Sequence, residues 1–250
     1  MALAALLWDV DGTLAETERD GHRLAFNRAL AAMGLPLQWD CLRYGELLAV
    51  SGGKERLAFA LEQWRGYPPD PALVADLQAC KQEHYTKLLA SGELGLRPGV
   101  AELIAEASAA GLAQVIVTTS GRPSVAALAE HVLGSLADCF SFWVCGEDVA
   151  RKKPSCEAYE LALRQLGLGA DRGLALEDSG HGLASAHGAG LACVITASHY
   201  GAAEAPERFA QARAVVSELG PKGKVLRGPA CSGGQITLSY MRELLEVAQP

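Results

Sequence analysis

The stretch LAALLWDVDGTLAETE, residues 3–18, decides how the rest of the chain is read. An apolar run, ALLWDV (5–10), ends in two aspartates one residue apart, Asp9 and Asp11, with Gly12 and Thr13 directly after. The run is continuous rather than alternating, the pattern of a strand covered on both faces. Two like charges at the end of such a strand need a reason. An acidic turn is the plain one; a chemical site is the other.

Working outward, the same pattern recurs. AQVIVTT (113–119), FSFWVCG (140–146), GLALED (173–178) and ACVITA (192–197) read as strands, and VVSEL (215–219) is a sixth candidate. Helical patterns separate them. VAELIAEASAAG (100–111) stops on glycine. RPSVAALAEHVLG (122–134) and PSCEAYELALRQLG (154–167) carry proline in the first turn and glycine at the end, and HGLASAHGAG (181–190) is a small-residue helix. Strand–helix alternation predicts an α/β fold, a doubly wound parallel sheet of Rossmann-like form with right-handed crossovers. The tail GPKGKVLRGPACSGGQ (220–235) reads as a loop, and ITLSYMRELLEVA (236–248) as a closing helix.

Residues 18–95 break the rhythm. HRLAFNRALAAMG, GGKERLAFALEQW and ADLQACKQEHYTKLLAS repeat apolar positions at helical spacing, with no convincing strand among them. The expected organisation is a discontinuous α/β core, 1–17 and 96–250, interrupted by a helical cap, 18–95. The exit GELGLRPGV (92–100) has linker composition. Ligands of open α/β sheets bind outside the carboxyl ends of the strands, so an insert leaving from that end of strand one should lie over the crevice as a lid.

Bulk composition bounds the function. Of 250 residues, 50% are hydrophobic and 20% charged, enough for a large core, and the net charge of −7 argues against a nucleic-acid surface. Seven cysteines with irregular spacing and no CxxC argue against a zinc site or a disulfide framework, and fit reduced thiols in the cytoplasm. Neither a signal peptide nor a membrane span is expected. GHGLAS (180–185) sits where a dinucleotide fingerprint would, but ends in serine where that motif needs glycine or alanine. Trp8-Asp9 and Trp39-Asp40 are isolated WD pairs, not repeats.

Polar residues collect at the strand ends. Strand one gives Asp9, Asp11, Gly12 and Thr13; the second gives Thr118, Thr119 and Ser120; Lys152 and Lys153 follow the third; Glu177, Asp178 and Ser179 end the fourth. Each group alone reads as a cap or turn, but all four meet at one sheet edge. Together they suit a phosphate and a divalent metal. Asp9, Asp11 and Asp178 can supply hard oxygens to magnesium, which commonly shares a substrate phosphate. Thr118 can donate to a phosphate oxygen, and Thr119 or Ser120 replaces it if the strand ends late. Lys153 adds a point charge. A phosphate monoester near −2 and an attacking carboxylate repel unless such cations intervene. One carboxylate can then attack to form an aspartyl-phosphate while the other moves protons.

This constellation resembles the haloacid dehalogenase-like hydrolase superfamily. DVDGT (9–13), the hydroxyl ending VIVT (115–118), Lys153 before proline and LEDS (176–179) follow that family's order, and the helical insert resembles its cap. The resemblance implies Asp9 as nucleophile and Asp11 as acid and base. It implies Mg2+ held by Asp9, the Asp11 carbonyl and Asp178 with Glu177 nearby, and a phosphoryl group bound by Thr118 and Lys153. The second aspartate argues for phosphoryl transfer, since dehalogenase members lack it.

AETE (15–18), HRLAFN (22–27), SGGKER (51–56) and ARKKPSCEAY (150–159) are similar to the CbbY-like sugar-phosphate phosphatases, relatives of β-phosphoglucomutase. One extra residue between Thr17 and His22 departs from that pattern. The resemblance implies a small phosphosugar substrate, with a bisphosphate such as xylulose 1,5-bisphosphate favoured. A phosphosugar mutase is the alternative, and a non-catalytic metal-binding interaction protein the more distant one. SGGKER offers Lys54 and Arg56 to a non-reacting anionic group, Arg122 is a further phosphate contact, and His22 is placed near substrate. The default assembly is a monomer.

Overall fold

The computed structural model describes residues 2–246. Met1 and residues 247–250, assigned by sequence to the core and in part to the closing helix, lie outside the described residues. Within them the strands are β1 (Ala5–Trp8), β2 (Ala113–Val117), β3 (Phe142–Val144), β4 (Gly173–Glu177), β5 (Ala192–Thr196), β6 (Ala214–Val216) and β7 (Val225–Arg227). They form one sheet in the order β3-β2-β1-β4-β5-β6-β7. Every pairing is parallel except β6 with β7. This is the doubly wound α/β fold expected, with the strand order reversing at β1.

The continuous apolar strands are explained by their two covered faces. Leu6 and Trp8 of β1 join Ile116, Leu174, Leu176 and Val194 in one core, while Ala5 and Leu7 join Val115, Val117, Ala175, Cys193 and Ile195 in the other. The alternation is that of side chains on a pleated strand. Helices α5 (Val100–Ala109), α6 (Arg122–Leu128), α7 (Glu157–Leu166), α8 (Gly180–Gly188) and α9 (Leu238–Glu246) follow the strands, numbered after four helices of the insert.

Those four are α1 (Arg23–Ala32), α2 (Cys41–Leu47), α3 (Gly53–Arg65) and α4 (Pro71–Ala90). They bury a core of their own: Phe26, Leu30, Trp39, Tyr44, Leu47, Leu57, Leu61 and Leu77 among others. The two crossings run side by side, with Ala15 bridging Leu96 and the Arg97 N–H donating to Leu14 O at 2.9 Å. Arg97 donates to the carbonyls of Gly12, Thr196 (2.9 Å) and Ala197 (2.6 Å), lashing the second crossing to the ends of β1 and β5. Among the described residues, no helix is long and apolar enough to cross a membrane.

Three local expectations are corrected, and one helix was not foreseen. The tail is not all loop, because Val225–Arg227 pairs antiparallel with β6; three residues, two of them exposed, carry no period to read. The helix read from 122 to 134 leaves α-geometry at Ala129 and continues to Leu133 as a wider π-type turn. The helix expected from Pro154 begins at Glu157. Helix α2 had no sequence reading, yet its signal is the second WD pair: Trp39 is buried in the insert's core, and the Asp40 carboxylate accepts the Arg43 N–H at 2.7 Å as an N-cap.

Candidate active site

The carboxyl ends of β1, β2 and β4 and the loop after β3 open into a cleft of about 690 Å³ beneath the insert. Asp9, Asp11, Thr119, Lys153, Glu177 and Asp178 line it from the sheet, with Glu18 and Arg56 opposite. Asp9 extends the β1–β4 pairing, its N–H donating to Leu176 O at 3.0 Å, which sets it beside Glu177 and Asp178. Gly12 then turns the chain at φ +87°, and a Cβ there would collide with Asp178 Oδ2. Both the backbone and the space demand glycine.

Three acids crowd the core side. Asp9, Glu177 and Asp178 each offer a carboxylate oxygen within 4.8 Å of the others, and all three are buried. One ammonium bonds two of them, Asp9 and Glu177. Lys153 Nζ donates to Asp9 Oδ1 at 2.8 Å, Glu177 Oε1 at 2.6 Å and Val117 O at 2.7 Å. Tyr159 Oη adds a bond to Glu177 Oε1 at 2.5 Å, and Ser198 Oγ one to Asp178 Oδ2 at 2.6 Å. Burial, with help from the Glu177 and Asp11 charges and against Lys153, pushes Asp9 up to about 8. Burial and the Asp9 charge push Asp178 well above the ordinary carboxylate range. Burial opposes the Lys153 charge, but Asp9 and Glu177 outweigh it and hold the amine protonated. Such a set of hard oxygens, short of positive charge, fits a divalent cation.

The Asp11 carboxylate turns the other way. It lies outside that cluster and points to the insert, so its expected share in the metal reduces to its main-chain carbonyl. Oδ1 accepts from Thr17 Oγ1 at 2.5 Å and His22 Nε2 at 2.9 Å, and Oδ2 from Ser120 Oγ at 2.5 Å. Behind it, Lys81 Nζ lies 2.7 Å from His22 Nδ1. One N–H···N bond holds one hydrogen, shared between the amine and the imidazole. Burial raises the Asp11 pKa, but the His22 charge and the three hydrogen bonds prevail and hold it well below the usual carboxylate range. Burial brings Lys81 down to about 8.

Several sequence expectations are corrected. Thr118 is 2% exposed and its Oγ1 accepts the Ser120 N–H at 3.0 Å, which buttresses the turn and leaves its own O–H free to donate. Strand β2 ends at Val117, and Thr119 and Ser120 face the clefts. Lys54 is exposed in the first turn of α3, while Arg56, Leu57, Ala60 and Leu61 of the same helix are buried. Arg56 does reach the cleft, where it pairs with Glu18 Oε2 (3.3 Å) and Tyr44 Oη (2.7 Å). His22 is engaged by Asp11 and Lys81. Arg122 pairs with Asp148 at 2.6 Å on the surface. Lys81, Ser198 and Tyr159 had no sequence assignment. The decoy GHGLAS has its own reason: a Cβ at Gly182 would collide with Glu177 Oε2.

A buried carboxylate at the end of the central strand, a lysine bridging it to a second acid, and a hydrogen-bonded aspartate two residues on are the acid and cation set of a hydrolase built on a parallel α/β sheet. The haloacid dehalogenase-like hydrolase pattern matches residues 3–190, and the chain belongs to that family. Within it the chain falls in the CbbY-like branch. It is 47% identical over 199 residues to protein CbbY of Cereibacter sphaeroides, covering 79% of this chain and 86% of that one. A crystal structure of CbbY from Rhodobacter sphaeroides with phosphate superimposes with a TM-score of 0.79 at 44% identity, over 86% of this chain and 94% of that one. A variant of the same protein, solved with xylulose 1,5-bisphosphate, gives 0.79 at 43% identity, with the same coverage.

Proposed function

We propose that this sugar-phosphate phosphatase works through a phosphoryl ester on Asp9 and takes a sugar bisphosphate of the xylulose 1,5-bisphosphate type. The observation that carries the mechanism is the opposed setting of Asp9 and Asp11. Asp9, Glu177 and Asp178, with the Asp11 carbonyl, would hold Mg2+. When bound, that ion neutralises the acid cluster and the phosphate and so permits the anionic approach. Asp9 attacks phosphorus while Lys153 and the Thr119 hydroxyl hold phosphoryl oxygens. Asp11 hands the leaving alcohol a proton, drawn through His22 Nε2 and replaced from Lys81 at Nδ1. In the second half Asp11, ionised, takes a proton from the water that attacks phosphorus and frees Asp9.

The second phosphate is supported by the insert side. Arg56 and Lys81 are 6% and 3% exposed, and both line a small recess with Gly52 and Gly53 that joins the reacting edge at Thr119. Residues 18–95 act as a cap that closes over the substrate. The seven free cysteines suit a reducing cytoplasm, and the working unit is a monomer. A panel of mono- and bisphosphorylated pentoses and hexoses, assayed with Mg2+ for phosphate release, tests the reading. A bisphosphate should lead, and Arg56→Ala should raise its KM more than that of the matched monophosphate. Equal rates with both classes, unaffected by Arg56→Ala, would remove the second-phosphate assignment. An isomerised phosphosugar in place of free phosphate would restore the mutase alternative.

A further inference from the structure

Tyr159 ends the segment ARKKPSCEAY, six residues after Lys153, and is completely buried on α7. Its hydroxyl donates to Glu177 Oε1 at 2.5 Å, the same oxygen that accepts from Lys153 Nζ at 2.6 Å. The ammonium also lies 5.0 Å from the centre of the Tyr159 ring. The other Glu177 oxygen packs against Gly182, so this carboxylate has no room to swing that way.

An ammonium has three N–H groups. Those of Lys153 are spent on Asp9, Val117 O and Glu177. A phosphoryl oxygen entering the cleft must take one of them. If Lys153 leaves Glu177, which is 1% exposed, the carboxylate oxygen would be left bare in the interior. An unsatisfied buried charge is costly.

We propose that Tyr159 is a positioning residue for phosphoryl binding: its hydroxyl stays on Glu177 as a standing donor, so Lys153 can turn to the phosphate. The ring face accompanies the ammonium whichever oxygen it serves. The assignment rests on Lys153 as the phosphoryl-binding cation, and it acts through Glu177 without Tyr159 touching substrate.

The experiment is a double-mutant cycle on the full chain. It is read by calorimetric binding of inorganic phosphate in the presence of Mg2+, together with steady-state kinetics. Tyr159→Phe keeps the ring and nearly the same volume. It should bind phosphate about tenfold more weakly, with kcat/KM lowered by a similar factor, as for loss of a hydrogen bond to a charged group. In a Glu177→Gln background, at Mg2+ concentrations titrated to saturate that variant, Lys153 no longer guards a buried anion, and Tyr159→Phe should change phosphate affinity by less than about twofold. A packing role would instead give the same loss in both backgrounds, which overturns the proposal, as does wild-type phosphate affinity in Tyr159→Phe. Lys153→Met separates the failures. If it binds phosphate normally, the phosphoryl-site reading falls and Tyr159 with it; if it does not bind while the cycle is additive, only the Tyr159 assignment falls.

Discussion

On one side of the cleft three buried carboxylates crowd together with one ammonium bonded to two of them; on the other, one carboxylate receives three hydrogen bonds, with Lys81 behind its histidine donor. Asp9 and Asp11 are two residues apart in sequence, yet their pKa values are driven in opposite directions. Burial alone would raise both. The difference lies in what else is buried with each. Asp9 has acids for neighbours, and its charge is fully supported only when a cation joins them. Asp11 has donors for neighbours and stays ionised without help. The same pair of residue types is thereby split in environment, which is what the proposed division into nucleophile and proton carrier needs.

Asp9→Asn is the largest break in this comparison. It removes the attacking oxygen and should cut phosphate release on the order of 10⁴-fold or more, with the fold kept, as circular dichroism and steady-state kinetics would show. Asp11→Asn keeps the nucleophile and removes only proton transfer. The expected loss is roughly 10²- to 10⁴-fold, smaller for substrates with an acidic leaving group such as an aryl phosphate. An equal loss with both substrate types would deny Asp11 that role. Lys81→Met should raise the Asp11 pKa toward the ordinary carboxylate range, read by carboxyl carbon NMR, because the charge behind His22 is gone.

The smallest effect is the pH dependence of stability. The folded Asp9 pKa, about 8, lies above its unstrained value of 3.8, so between these limits the folded state holds a proton that the unfolded state has lost. Stability of the metal-free protein should therefore fall as pH rises from about 5 to about 8. Asp11 works in the opposite sense: its depressed pKa stabilises the fold above the ordinary carboxylate range and is lost only in acid. Mg2+ competes with the Asp9 proton, so its stabilising effect on Tm should be larger near pH 8 than near pH 5. Equal effects at both would contradict the assignment of Asp9 to the metal.

The sequence was most informative where function is local to a strand end. Asp9, Lys153, Glu177 and Asp178 each follow a short apolar run, so the parallel fold alone brings them together. Strand β2 ends at Val117, two residues before the end of the run read as strand, so Thr118, Thr119 and Ser120 all belong to the turn at the site. Lys54 lies three and seven residues before Leu57 and Leu61, so helical phase alone did not set it aside; it is exposed in the first turn of α3. Lys81 carried no local signal. It reaches His22 only because α4 packs along α1, a tertiary fact 59 residues removed from its partner. Tyr159 was within a quoted motif, but its purpose depends on where Glu177 points.

The central claim is that Asp9, and not Asp11, carries the phosphoryl group. Acid-quenching the enzyme during turnover of its best bisphosphate with Mg2+, followed by peptide mass spectrometry, reads this directly. The account predicts a phosphoryl adduct on the Asp9 carboxylate, more of it in Asp11→Asn and none in Asp9→Asn. An adduct on Asp11, or turnover with no adduct in either background, would contradict it.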